Sequence, residues 1–338
     1  MLSTILMTAL NAVLPIVLMI ALGYVLHQKG ILGSEFLKNG NKLVFRFGLP
    51  AMLFVNVYSI ESLLHIRWDI VLYCAGAILL IFLLGILLAV MTTSVQERRG
   101  VILQCTFRSN FAIIGLSLAA TLGGAEAEAT AAILSAVTIP LFNVLAVIAL
   151  SMFRREGGKV NIRRIMQDIV KNPLIQGVSA GIMALVVRWV QTEAFGEVVF
   201  SLNRDTKFLY TVLTWLKALT TPLALLVLGG QFTFSAVKSL RREIIVATAS
   251  RLLLAPAIGI LGAYLLDYWG VICCGSSDYP ALIALFASPV AVASAIMASQ
   301  MDNDEQLATQ LVVWTTLLSG VTIFGISCLL MALGLITA

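Results

Sequence analysis

Charge is what this sequence has least of. Only 12% of its 338 residues are Asp, Glu, Lys or Arg, while 60% are hydrophobic, against roughly 25% and 45–50% in a soluble domain. That balance excludes an ordinary soluble fold. Acids are scarcest where they would matter most. No Asp or Glu stands in the middle of any long apolar run: Asp69 and Asp267 sit at run ends, Glu126 and Glu128 between runs. The only histidines, His27 and His65, also fall at run ends. With no paired Asp, no Ser–His pair and no metal cluster inside the runs, the pattern argues against an intramembrane enzyme and implies no cofactor or metal. A Gly-rich phosphate loop of the Walker type is missing too, which argues against ATP-driven pumping by this chain alone. Five cysteines show no metal-ligand spacing: Cys74, Cys105 and Cys328 read as small hydrophobes inside apolar runs, and Cys273 and Cys274 are adjacent in a loop. No basic segment precedes the first apolar run, so a secretory leader is a poor reading of the N-terminus. The net charge of +5 does not point to nucleic acid, because the basic residues cluster between apolar runs.

What is abundant is uninterrupted apolar sequence. Runs such as Ile70–Val90 and Ala131–Met152 carry no charge, and about 20 apolar residues suffice to cross a hydrocarbon core of about 30 Å. Reading runs against charged breaks predicts ten spans, near 8–27, 41–60, 69–93, 101–121, 128–152, 173–190, 208–230, 244–267, 281–299 and 307–335. The expected fold is therefore an all-α integral membrane protein of ten transmembrane helices, its partner the lipid bilayer. The longest hydrophilic stretch, residues 154–172, carries Arg154, Arg155, Lys159, Arg163, Arg164 and Lys171, which the positive-inside rule places in the cytoplasm. Both termini then lie outside. Cytoplasmic loops hold thirteen Lys and Arg: those six, Lys29, Lys38, Arg98, Arg99, Lys238, Arg241 and Arg242. Outer loops hold four: Arg67, Arg188, Arg204 and Lys207.

The same basic linker divides the chain into a first five-helix repeat, residues 1–153, and a second, residues 173–338. An odd number of spans per half forces the second half to enter the bilayer inverted. Weak echoes accompany that arithmetic. Pro50 in span 2 matches Pro222 in span 7, and Asn110 in span 4 aligns with Pro289 in span 9, each set amid small or polar residues at mid-span. Broken backbone at that depth is tolerated only where it lines a cavity or is buried in protein. Two facing breaks would aim helix N-termini, partially positive, at an anionic ligand.

Three segments resemble a known family. Leu285-Phe286-Ala287-Ser288-Pro289-Val290-Ala291-Val292-Ala293-Ser294-Ala295-Ile296-Met297-Ala298 resembles the ninth span of bacterial members of the auxin efflux carrier family, relatives of the plant PIN proteins. Phe47-Gly48-Leu49-Pro50-Ala51-Met52-Leu53-Phe54 resembles its second span, and Asn110 with Gly115 its broken fourth span. Plant members place a proline beside that asparagine, where this chain has Ser109. The resemblance implies scaffold and transport domains each drawn from both repeats, crossing helices 4 and 9, elevator-type alternating access, a homodimer and a bacterial inner-membrane location. It implies organic carboxylates as substrates, in bacteria dicarboxylates such as malonate.

Charges inside spans are costly and so are functional candidates. Lys42 and Arg46 can snorkel from a helix end, although Arg46, one turn deeper, is also a substrate candidate. Lys217 and Arg251 are equally open to pairing or interfacial roles. Arg108 adjoins the presumed break and can offer a planar fork to a carboxylate or cap carbonyls freed by the break. The expected substrate-binding set is Arg108, Ser109, Asn110, Ser288, Pro289 and Asn143, with Gly115, Pro50 and Pro222 as structural hinge positions. Cations and amides without acids favour export of small organic anions, driven by membrane potential. The rivals are a sodium-coupled importer, needing oxygen ligands such as Ser109, Asn110, Ser288 and Ser294, and a membrane sensor without transport.

Overall fold

The structure is a computed structural model that describes residues 2–60, 67–153 and 162–336. Its described residues are helical nearly throughout, with no strand among them and a single isolated bridge. In chain order the helices are α1 (Leu2–Gln28), α2 (Ser34–Leu43), α3 (Leu49–Tyr58), α4 (Trp68–Thr92), α5 (Gln96–Phe107), α6 (Leu116–Met152), α7 (Ile162–Lys171) and α8 (Pro173–Phe195). They continue as α9 (Leu202–Asp205), α10 (Lys207–Gln231), α11 (Ser235–Ser239), α12 (Arg241–Ala249), α13 (Gly262–Tyr268), α14 (Asp278–Phe286), α15 (Ala293–Gln300) and α16 (Glu305–Ala332). Wider π turns interrupt the helical path at Val44–Gly48, Phe111–Gly115, Ser250–Leu254 and Ala257–Leu261, as such turns do near functional positions. Among the described residues, six helical segments are long and apolar enough to cross a bilayer: Trp68–Thr92, Phe111–Met152, Pro173–Phe195, Lys207–Gln231, Arg241–Tyr268 and Glu305–Ala332.

Several elements depart from the sequence reading. Helix α6 is two arms meeting at Gly123 and Gly124, whose backbone leaves helical geometry, Gly124 at φ +69°. Glu126 and Glu128 stand exposed in the first turns of the second arm, not in a loop, because two non-helical glycines join the arms with no longer connection. The basic linker is not wholly irregular either. Its residues 162–171 form the amphipathic α7, while Arg154, Arg155 and Lys159 lie outside the described residues, as does His65. The second apolar segment begins earlier than its hydropathy suggests, since the polar helix α2 runs through a π turn into α3.

Packing sorts the helices into two groups. In one, α1 packs on α10, α3 packs on both α8 and α10, and α2 packs on α10. In the other, α4, α5, α6, α12, α14, α15 and α16 pack mainly on one another, while α16 also packs extensively on α1 across the two groups. Glycines set the closest approaches of the first group. A Cβ at Gly229 would lie 2.0 Å from the Ile20 carbonyl oxygen, and one at Gly23 would lie 2.2 Å from that of Leu226, so α1 and α10 meet backbone to backbone. Gly177 meets the Pro50 backbone in the same manner, a Cβ there falling 2.6 Å from its oxygen, at the α3–α8 contact. Where lipid tails are as apolar as Leu, such small-residue contacts supply packing that hydrophobicity cannot.

Charges close the second group at both ends. Arg98 at the start of α5 bonds Glu243 on α12 at 2.9 Å and Asp304, the N-cap of α16, at 3.0 Å. At the other end Arg67 bonds the buried Asp278 of α14 at 2.7 Å and Asp69 of α4 at 2.8 Å. Segments expected on one side of the bilayer thus gather at one end. Leu150 and Asn172 join the Arg98 end through Asn303 and Met301, and Cys273 joins the Arg67 end through its carbonyl.

Candidate functional site

Two helices stop in the middle of the second group, and they stop against each other. Helix α5 ends at Phe107, where Arg108 turns extended (φ −82°, ψ 115°). Helix α14 ends at Phe286, and α15 begins only at Ala293. The local causes are chemical. Pro289 has no N–H to donate and drives the preceding residue from helical geometry. Ser109 and Asn110 have short polar side chains that compete with helical hydrogen bonding. Between the stops the chains cross: Ser109 and Val290 form an antiparallel bridge, and the Asn110 N–H donates to the Pro289 carbonyl at 2.8 Å. The Val290 N–H is taken by the Thr315 hydroxyl of α16 at 3.2 Å. The crossing is buried in protein.

Its two faces are electrically opposite, since a helix N-terminus carries partial positive charge and a C-terminus partial negative. The carbonyls ending α5 and α14 turn to one face, and Arg251 fills it. That guanidinium, with no exposed surface, donates to the carbonyls of Ser288 (2.9 Å), Phe107 (3.1 Å), Phe286 (2.8 Å) and Leu285 (3.3 Å).

On the other face the helices that resume at Phe111 and Ala293 begin at a narrow cavity of about 40 Å³, room for roughly three water-sized groups. One wall comes from the crossing and the second arm of α6: Arg108, Ser109, Asn110, Ala293, Phe142 and Asn143 are among its residues. The facing wall comes from the other helix group, through Leu49, Met52 and Leu53 of α3, Leu174 of α8, and Thr220 and Thr221 of α10. Arg108 is buried there, and its Nη2 donates to the Asn143 Oδ1 at 2.9 Å. Asn143 in turn donates to the Ile139 carbonyl at 2.8 Å. With the Gln104 amide turned to satisfy both its ends, its oxygen accepts from Arg108 Nη1 at 2.9 Å and its nitrogen donates to the Ser294 carbonyl at 3.3 Å. Arg108 Nη1 also meets the Met297 sulfur, so every side-chain partner of the guanidinium is neutral. Asn110 Nδ2, Ser109 Oγ and Ser294 Oγ are buried with no hydrogen-bond partner, which is costly unless something else satisfies them.

Of the residues singled out from sequence, Arg108, Ser109, Asn110 and Asn143 line the cavity. Ser288 and Pro289 join the crossing on its other side. The Ser288 hydroxyl is committed to the Ala284 carbonyl at 2.6 Å and its own carbonyl to Arg251. Gly115 keeps helical geometry (φ −59°) and is small because the Phe111 ring lies on it, 2.1 Å from where a Cβ would be. Pro50 and Pro222 sit among the residues through which α3 and α10 reach the cavity without lining it themselves, near where Gly48 packs on Thr220. Arg46 is exposed and outside the cavity lining. Sequence reasoning missed Gln104, Thr220 and Thr221, and left Arg251 without a partner. For Arg251 the signal was present, a cation in the middle of an apolar run. Among the described residues no cluster of His, Cys, Asp or Glu is arranged to hold a metal.

Comparison with known proteins identifies the family. Residues 8–327 match the family described as membrane transport protein. An uncharacterized transporter of Methanothermobacter thermautotrophicus is 22% identical over 325 residues, covering 94% of this chain and 97% of that protein. An uncharacterized transporter of Methanocaldococcus jannaschii is 24% identical over 321 residues, covering 93% and 96%. With the family match spanning nearly the whole chain, the protein belongs to the membrane transport protein family, that of the auxin efflux carriers and their PIN-like relatives.

Proposed function

We propose that the protein is a secondary transporter that exports small organic anions, carboxylates above all, through the cavity beside the crossing. The observation that carries this reading is Arg108. It is a buried guanidinium at the cavity wall whose side-chain partners, two amides and the Met297 sulfur, are all neutral. Burying an unpaired charge is expensive, and an anionic substrate would supply the missing countercharge, bidentate if it is a carboxylate. The helix N-termini at Phe111 and Ala293 and the unpartnered Asn110 amide add donors on the same side. A carboxylate leaving an inside-negative cell gains about 2.3 kcal/mol per charge per 100 mV.

The reading extends to architecture and motion. Ten spans in two inverted five-helix repeats, 1–153 and 173–338, fit the paired contacts, for α1 on α10 and α3 on α8 exchange under such a symmetry. The ion pairs exchange too, Arg67–Asp278 at one end answering Arg98–Glu243 at the other. The helix group of α1, α2, α3, α8 and α10 would form a fixed scaffold. The group carrying the crossing would slide against it as an elevator, moving the cavity between sides. A homodimer in a cell inner membrane, with residues 154–172 cytoplasmic and both termini outside, completes the proposal.

Counterflow in proteoliposomes tests it. Labelled carboxylates from a mono- and dicarboxylate panel should exchange with unlabelled ones, and an Arg108→Gln variant should not support that exchange. Exchange of neutral or cationic solutes alone would overturn the reading.

A further inference from the structure

Transporters built on broken helices commonly hold a coupling cation at unwound carbonyls and half-helix C-termini. Here that position is filled by a side chain. We propose that Arg251 is a tethered cation, a guanidinium that takes the place of a coupling ion at the carbonyl face of the crossing. It thereby frees substrate movement from any sodium or proton gradient. The proposal rests on the transport reading above but concerns the opposite face of the crossing.

Four observations converge. The four carbonyls that Arg251 binds come from both broken helices, Phe107 ending α5 and Leu285, Phe286 and Ser288 ending α14. Three nitrogens of the guanidinium are engaged, so the group is held as a ligated ion is held, by oxygens converging from different segments. No carboxylate pairs with Arg251 among the described residues. Among the described residues, the carbonyl dipoles supply its counter-field, as they would for a bound cation. Finally, the Ser288 hydroxyl, an oxygen that a mobile cation could use, is turned to the Ala284 carbonyl.

The arrangement has an electrical consequence for the anion side. Phe107 accepts from Arg251 and is followed directly by Arg108 at the cavity wall. The fixed charge cancels the negative helix ends on one face and leaves the positive ends on the other unopposed. A mobile cation would do so only while bound, which is what makes such carriers gradient-dependent. A tethered one does so permanently.

Chemical replacement of the side chain tests this. Arg251→Ala, purified in detergent, should melt at least about 5 °C below the wild type. Guanidinium chloride near 10 mM should restore at least about 2 °C, while tetramethylammonium chloride at equal concentration should not. The wild type should respond to neither salt. Wild-type melting in the variant, or equal response to both salts, would overturn the proposal. Should Arg251→Ala fail to accumulate, Arg251→Lys and Arg251→Gln decide. Lys above Gln in melting temperature supports a charge requirement, and equal melting refutes it. Wild-type counterflow of carboxylate should be unchanged when sodium is replaced by choline with the proton gradient collapsed, and sodium dependence would sink the idea. If guanidinium rescues Arg251→Ala yet the wild type exchanges no carboxylate, the tethered cation stands and the anion reading alone falls.

Discussion

The N–H of Asn110 reaches the carbonyl of Pro289, 179 residues away, at 2.8 Å. That bond joins two helix breaks that neither half of the chain could stabilise alone, because unpaired backbone at this depth is tolerated only when another segment satisfies it. It also leaves the Asn110 side-chain amide free, since its Nδ2 has no partner.

Asn110→Ala should therefore separate binding from folding. It removes an unpartnered donor and leaves the main-chain bond to Pro289 intact. Substrate affinity should fall by about tenfold or more, the cost of one hydrogen bond to a charged group, with the melting temperature within about 2 °C of wild type. Calorimetric titration and thermal unfolding read the two. Undiminished affinity would place the substrate elsewhere.

Arg108→Lys keeps the charge and loses the planar fork that reaches Asn143 and Gln104 together. Carboxylate affinity should drop by about ten- to a hundredfold, or 1.5–3 kcal/mol. Arg108→Gln should abolish anion binding. Preserved carboxylate affinity in Arg108→Lys would assign the arginine to packing and leave the helix ends to hold the anion.

Glycine substitutions should divide sharply by location. In Gly229→Ala the new methyl meets the Ile20 carbonyl oxygen at 2.0 Å, main chain that no rotamer change can move. Overpacking of this kind costs about 1–3 kcal/mol, visible as reduced yield of folded protein and a lowered melting point. Gly76→Ala, where a Cβ meets nothing within 4 Å, should behave as wild type. Equal behaviour of the two would refute the α1–α10 contact.

The two adjacent cysteines should differ in reactivity. Cys273 is exposed, whereas Cys274 is partly buried and burial pushes its thiol up to about 12. At pH 8 only about one Cys274 in ten thousand is thiolate, the reactive form. In single-cysteine variants, a membrane-impermeant maleimide added from outside the cell should label Cys273 quickly and Cys274 slowly. Raising the pH toward 10 should increase the Cys274 rate about tenfold per unit. Labelling of Cys273 only from the cytoplasmic side would reverse the proposed orientation.

The crossing was legible in outline because its determinants are local. A proline in an apolar run has no donor, and Asn beside Ser weakens a helix, so positions 110 and 289 declare themselves. Arg108 and Asn143 were legible for a similar reason, as polar groups where solvation is absent. Ser288 is legible as a polar oxygen near the break, but only packing shows its hydroxyl turned back to the Ala284 carbonyl of α14. Residues such as Thr220 and Thr221 carry no comparable signal, since threonines on membrane helices commonly bond their own backbone, as Thr220 does to the Leu216 carbonyl at 2.6 Å.

Composition and hydropathy alone determined that this chain lives in a bilayer as helices, because a sequence so poor in charge must satisfy its backbone internally and hide from water. Tertiary structure decided which cation lines a cavity and which binds the carbonyls of the broken helices. Arg108 and Arg251 look alike in sequence, each a lone arginine in an apolar run. They differ only in which ends of the broken helices surround them: carbonyls around Arg251, amides and a cavity around Arg108. A helix end acquires its sign from chain direction, and a side chain meets that end only after distant segments have packed.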